Sequence, residues 1–178
     1  MNHVISAISF AADKHRNQRR KDIEASPYIN HPIALANILA NEAGIEDEEV
    51  LAAAILHDTI EDTETTSQEL ADLFGDYVTA IVFEVTDDKS LPKAERKRLQ
   101  IEHAPTISRR ANLVKIADKI ANLRDIAASP PVDWSLQRQQ EYFDWAKAVV
   151  AGLRGIHPTL ERIFDEVYQY RPCSTDLV

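Results

Sequence analysis

The sequence predicts an all-α protein of one domain, and three observations carry that prediction. Apolar residues recur at helical spacing almost throughout, no run of four to eight residues alternates as a strand would, and glycine is scarce, at 4 in 178 residues. A chain of this length buries roughly 70% of the surface its unfolded form exposes, enough for a core without disulfide staples. Its one cysteine, Cys173, has no partner in the chain, which favours a reducing cytoplasm over secretion.

The opening stretch MNHVISAISFAADKH has no basic region ahead of its short, polar-interrupted apolar run, so it reads as an amphipathic helix over 2–20 and not as a signal peptide. A second helix is expected over 31–43, with Pro32 in the first turn, where proline is tolerated, and Gly44 as the residue that ends it. A third runs from 47 to 62, and Gly75 separates two more, 66–74 and 76–87. Pro92 introduces 92–103; 109–127, 135–153 and 157–169 complete the set, with Pro130, Pro131 and Pro158 as punctuation. Nothing approaches the ~20 apolar residues of a membrane span.

The net charge is −9, and its distribution says more than its total. Between Asp22 and Asp88 there is no Lys or Arg but 17 of the 29 acidic residues. Fifteen of the 20 basic residues fall in KHRNQRRK (14–21), KSLPKAERKR (89–98) and RRANLVKIADKIANLR (109–124). An acidic centre able to hold a cation, flanked by basic segments, suits a metal-assisted site for a small polyanion. Any one patch alone reads as a solvated helix face. The overall acidity argues against duplex nucleic acid, whose affinity rests on many phosphate contacts.

The stretch AAILHDTIEDT (53–63) begins as a helix that belongs in a core and ends with His57, Asp58, Glu61 and Asp62. Burying such groups without partners costs several kcal/mol, so a compensating ion or solvent is implied. On a continuous helix Glu61 stacks over His57 and Asp62 over Asp58, while the adjacent His57 and Asp58 diverge by about 100° and do not touch. His31, at the start of the second helix, and Asp118, on an otherwise apolar face, are the candidates to complete a ligand set. Each alone has a plainer explanation: a surface pair for His57 and Asp58, a capping or core histidine for His31, an ion pair with Lys115 or Lys119 for Asp118. Together, two imidazoles and two carboxylates are borderline donors suited to Mn, Fe or Zn and unlike an all-oxygen calcium cage. Asn122 follows Asp118 by four, so one helix offers a ligand and a neutral amide on the same face.

In sequence order, YINHP, LHDTIEDT and KIADKIANLRD resemble the HD-domain phosphohydrolases, specifically the small stand-alone hydrolases of the RelA/SpoT group, the metazoan SpoT homologues among them. FAADKHRNQRRKD, VTDDKSLPKAERKRLQ and QEYFDWAKAVVAGL extend the resemblance over roughly residues 4–155. It implies an HD-type bundle of about eight to ten helices over 1–170, with 171–178 as a tail that need not be ordered. It also implies hydrolysis of the stringent-response alarmone (p)ppGpp at its 3′-diphosphate, giving GDP or GTP plus pyrophosphate, with one Mn²⁺ per chain. By position, His31, His57, Asp58 and Asp118 match the metal ligands, and Glu61 and Asp62 the pair that activates and orients the attacking water. Arg20 and Lys21 match the residues that hold the purine and Asn122 a ribose contact, while Tyr28, Lys93 and Tyr142 fall near phosphate or base. Ala121 stands where relatives often carry a larger ring, which is expected to widen the pocket beside Asn122. Two other readings stay open: removal of another phosphate, such as the 2′-phosphate of NADPH, and a nucleotide-sensing module without turnover, against which the intact Glu61 and Asp62 argue. Oligomeric state is left open by the sequence.

Overall fold

The computed structural model describes residues 2–173. Its helices are α1 (Asn2–Lys14), α2 (Asn30–Asn37), α3 (Glu48–Leu56), α4 (Thr59–Asp62), α5 (Ser67–Val85), α6 (Lys93–His103), α7 (Arg109–Ala128), α8 (Leu136–Ala151) and α9 (Pro158–Tyr168). A π-helical turn, Ile38–Glu42, extends α2, and a 3₁₀ turn, Ala104–Thr106, follows α6. Among the described residues the fold is all-α, as predicted, with one isolated antiparallel bridge between Arg19 and Pro27. None of the helices is long and apolar enough to cross a membrane.

The core is built around α3. Val50 and the run from Ala52 to Leu56 are fully buried, so this helix is apolar on every side, as an enclosed helix must be. It packs against α1, α2, α5 and α7. Asp47 caps its start by accepting hydrogen bonds from the backbone N–H groups of Glu49 and Val50, at 3.0 and 3.4 Å. The second core helix is α7, whose Val114, Ile116, Ala117 and Ile120 are fully buried and which packs against α2, α3, α5, α8 and α9. Gly44 adopts φ 69° and closes the α2 segment as expected, with Ile45 N–H donating to Leu39 O at 2.9 Å.

Two expectations are corrected and one is met. The helix expected over 2–20 ends at Lys14, because the basic stretch turns back on itself: Gln18 N–H donates to His15 O at 2.8 Å, Arg20 N–H to Ser26 O at 2.8 Å and Tyr28 N–H to Gln18 O at 3.2 Å. The break expected at Gly75 is present within α5: that glycine, at φ 84° and ψ 165°, is non-helical and divides it into two helical stretches, a conformation with little cost only for glycine. The helix expected over 47–62 is interrupted at His57 and Asp58, and that interruption shapes the site. Of the expected tail, Arg171 pairs with Asp144 at 2.7 Å and Pro172 O accepts from Gln140 at 2.9 Å; 174–178 lie outside the described residues.

Candidate active site

A helix that stops leaves its last carbonyls without N–H partners. At the end of α3 the site residues fill that role. His57 Nδ1 donates to Ala54 O at 2.8 Å, and the Thr59 hydroxyl donates to Leu56 O at 2.7 Å. Asp58, at φ −98° and ψ −1°, forms the joint before α4. The same hydrogen bond fixes the tautomer of a neutral His57, leaving the Nε2 lone pair free to act as a ligand. The joint also brings the neighbours together: His57 Nε2 lies 2.8 Å from Asp58 Oδ2, contrary to the separation expected on a continuous helix.

His31 enters from α2 and Asp118 from α7. His31 Nε2 lies 3.3 Å from Asp118 Oδ1 and His57 Nε2 4.0 Å from the same oxygen. Ligand atoms of these three residues all fall within 4.8 Å of one another, and Asp58 adjoins them through His57. His31 Nδ1 is buried without a hydrogen-bond partner, and His57 Nε2 faces only the carboxylates of Asp58 and Asp118. Burial lowers the pKa of His31 and so favours its neutral, ligating form. For His57, burial opposes the charge, but the carboxylates of Asp58 and Asp118 outweigh it and raise the pKa to about 9. Asp58 and Asp118 are held well below the usual carboxylate range, since neighbouring cationic groups and hydrogen bonds outweigh their burial. Two buried carboxylates facing the Nε2 atoms of two imidazoles fit a divalent cation, which takes the place of a proton.

Asp118 is held at both oxygens. Lys119 Nζ lies 2.9 Å from Oδ2, and Asn122 Nδ2 donates to Oδ1 at 2.6 Å, so the expected shared face of Asp118 and Asn122 is present. Ala121 does not behave as expected: it is buried in the core and lines neither cavity beside Asn122, because consecutive residues on a helix point about 100° apart.

Glu61 and Asp62 project from α4 into the same cavity, about 190 Å³ in size, but diverge to different partners. Glu61 Oε2 accepts from Asp87 N–H at 3.1 Å, and Oε1 lies 3.6 Å from Arg96. Burial, reinforced by the negative charges of Asp58, Asp87 and Asp62, raises its pKa to about 7 against the Asp87 hydrogen bond. Asp62 pairs with Lys89 and accepts from the Tyr28 hydroxyl at 3.1 Å, while the same hydroxyl lies 2.5 Å from Asp58 Oδ2.

A second cavity, about 300 Å³, adjoins the first through Arg20, Tyr28, Asp62 and Asn122 and adds Lys21, Trp134 and Tyr142 to its walls. Arg20 donates to Asn122 Oδ1 at 3.1 Å and to Asp125 at 2.6 Å. Lys93 stands apart from both, in a neighbouring depression that shares Trp134 and Tyr142 with the second cavity. Sequence reasoning missed Gln18, whose amide donates to Asp62 O at 2.6 Å, and Asp87; neither carries a local signal. Lys89 and Arg96 belong to the 89–98 patch, but spacing alone does not single them out.

The sequence profile of the HD domain matches residues 7–146. The chain is 56% identical over 168 residues to a Danio rerio protein named guanosine-3′,5′-bis(diphosphate) 3′-pyrophosphohydrolase MESH1, covering 94% of this chain and 93% of that one. The Homo sapiens protein of the same name is 56% identical over 168 residues, covering 94% of each. A solved structure described as "A metazoan ortholog of SpoT hydrolyzes ppGpp and plays a role in starvation responses" superposes with a TM-score of 0.93 at 50% identity, over 96% of both chains. With the His57-Asp58 pair, His31 and Asp118 converging from three parts of one helical domain, the chain belongs to the HD-domain family.

Proposed function

We propose that this protein hydrolyses (p)ppGpp at its 3′-diphosphate, releasing GDP or GTP and pyrophosphate, as a soluble cytoplasmic enzyme loaded with one Mn²⁺ and acting on a small guanine nucleotide rather than on duplex nucleic acid. The observation that carries the reading is the metal-ligand cluster opening onto a basic, aromatic-walled cavity, in a chain whose relatives at 56% identity bear that activity in their names. His31, His57, Asp58 and Asp118 are the ligands. A divalent cation bound there supplies Lewis acidity and brings the pKa of a coordinated water toward neutrality.

The chain's own residues supply the rest. Glu61, with a pKa of about 7, takes the proton of the attacking water, a task suited to a base that titrates near the working pH. Asp62, fixed by Tyr28 and Lys89, orients that water. Arg20 and Lys21 hold the purine against the second cavity, Asn122 holds the ribose, and Tyr28 and Tyr142 form aromatic walls beside it. Lys93 meets the 5′-phosphates from the neighbouring depression. Residues 1–170 act as one HD-type domain. The NADPH-phosphatase and sensing-only readings draw no support from the relatives.

Water attacks the phosphorus joined to the ribose 3′-oxygen, the P–O3′ bond breaks, the 3′-oxygen takes up a proton, and the diphosphate leaves intact. Hydrolysis of ppGpp by the Mn²⁺-loaded protein in ¹⁸O-water is expected to give GDP and pyrophosphate, with the label in pyrophosphate. Release of orthophosphate, or label in the nucleotide, overturns the mechanism.

A further inference from the structure

Lys115 is the one buried cation in the metal cavity that the reaction above leaves without a task. It lies on α7, one turn before Asp118, and is only 9% exposed. Its ammonium donates to Val85 O at 2.9 Å, at the negative C-terminal end of α5, and among the described residues it forms no ion pair. The sequence allowed it a pairing with Asp118, but Lys119 takes that place. The nearby carboxylates are engaged elsewhere: Asp87 accepts from Gln100 at 2.7 Å, and Glu61 from Asp87 N–H at 3.1 Å. A buried ammonium with one carbonyl partner retains donors for further acceptors, and the carboxylates of Asp118, Asp87 and Glu61 offset part of the cost of its burial without pairing with it.

Lys115 also lines an adjoining cavity, about 180 Å³, on the side of α6. Arg96 shares that wall, and its Nε is buried with no hydrogen-bond partner. Lys115 and Arg96 therefore both line this neighbouring cavity, whose wall also carries Glu84, Asp87 and Asp88, and only Lys115 of the two also lines the metal cavity, apart from Arg20 and Lys21. We infer that Lys115, assisted by Arg96, binds the terminal phosphate of the 3′-diphosphate and so distinguishes a diphosphate from a monophosphate at that position. The inference rests on the reaction proposed above, which brings a chain of two phosphates to the metal cavity that Lys115 lines. Burial and the charge of Lys119 lower the pKa of Lys115 against the pull of Asp118, Asp87 and Glu61, in accord with an ammonium that gains from a further anion.

The test compares wild type with Lys115→Met and Lys115→Gln, all metal-loaded, on two substrates: ppGpp and the analogue with a single 3′-phosphate. Calorimetry with inorganic pyrophosphate and with orthophosphate gives affinity independently of turnover. Both variants are expected to lose about 10²-fold in kcat/KM on ppGpp, of the order lost when one group placing a substrate is removed, and less than threefold on the monophosphate analogue. Pyrophosphate affinity should fall at least tenfold while that of orthophosphate is unchanged. Equal losses on both substrates, or unaltered pyrophosphate binding, overturn the inference. If wild type fails to turn over ppGpp the proposed reaction is wrong, and the pyrophosphate titrations still decide the role of Lys115. Should both variants fail to fold, Arg96→Gln provides the same comparison, with a smaller preference for diphosphate expected and an unchanged preference counting against the inference.

Discussion

Glu61 sits where burial and chemistry pull together. Taking its carboxyl out of water and placing it near Asp58, Asp87 and Asp62 raises its pKa to about 7, and the proton affinity so gained is what a general base needs. The acid form predominates below that value and cannot accept a proton, so kcat/KM should rise with pH along a limb whose midpoint lies at or below about 7, the bound cation moving it down. Glu61→Gln should keep its metal, lose about 10²- to 10⁴-fold in turnover and abolish that limb. Metal analysis alongside a pH–rate profile checks both, and a variant that keeps wild-type turnover removes Glu61 from the mechanism. Stability carries the opposite sign. A carboxyl whose folded pKa is raised stabilises the fold below the ordinary glutamate value, and that contribution is lost as pH rises through about 7. Metal-free Glu61→Gln should therefore melt higher than wild type at pH 8 and at the same temperature at pH 4.

At the scale of elements, the helices were legible wherever apolar periodicity and punctuation agreed. The expectations for 92–103 and 109–127 match α6 and α7 within a residue or so, because Pro92 and the Ser108 cap mark their starts. Two boundaries were hidden because long-range contacts set them. Nothing in KHRNQRRK breaks a helix, yet Gln18 reaches Asp62 O and Arg20 reaches Asp125, drawing the segment off α1. Likewise TIEDT continues a helical pattern, and the joint at Asp58 is visible only once His57 and Thr59 are seen occupying the carbonyls of Ala54 and Leu56. The gathering of His31, His57 and Asp118 was readable from residue types and order; the contact between His57 and Asp58 depended on that joint. The intact start of α3 offers a control. Asp47 caps it and also accepts from Arg110 of α7 at 2.9 Å, far along the helix from His57. Asp47→Ala should cost about 1–2 kcal/mol, read as a fall in Tm of roughly 2–4 °C per kcal/mol, with metal content and kcat/KM unchanged. A parallel loss of activity would mean that the cap also sets the position of the site.

At the scale of the whole molecule, the proposed metal site is a tie between distant parts of the chain. His31 belongs to α2, His57 ends α3 and Asp118 belongs to α7, so a cation held among them joins three helices that already share the core. In an acidic protein of net charge −9, this tie also neutralises carboxylates that burial would otherwise leave costly. Anything that binds the folded state alone stabilises it by mass action, about 2.7 kcal/mol when the free ligand stands at 100 times its Kd. For a chain of this size that corresponds to a Tm difference on the order of 5–10 °C. Stripping the protein with chelator should lower Tm by that amount and abolish turnover, and restoring Mn²⁺ should return both. His57→Ala, which removes one imidazole from the cluster, should remain folded but inactive and melt at the same temperature with and without chelator. Calorimetric scans of the two proteins, each paired with metal analysis, provide the measurement. Full turnover by wild type stripped of metal, or a chelator shift in His57→Ala as large as in wild type, would place the cation elsewhere and separate it from these three helices.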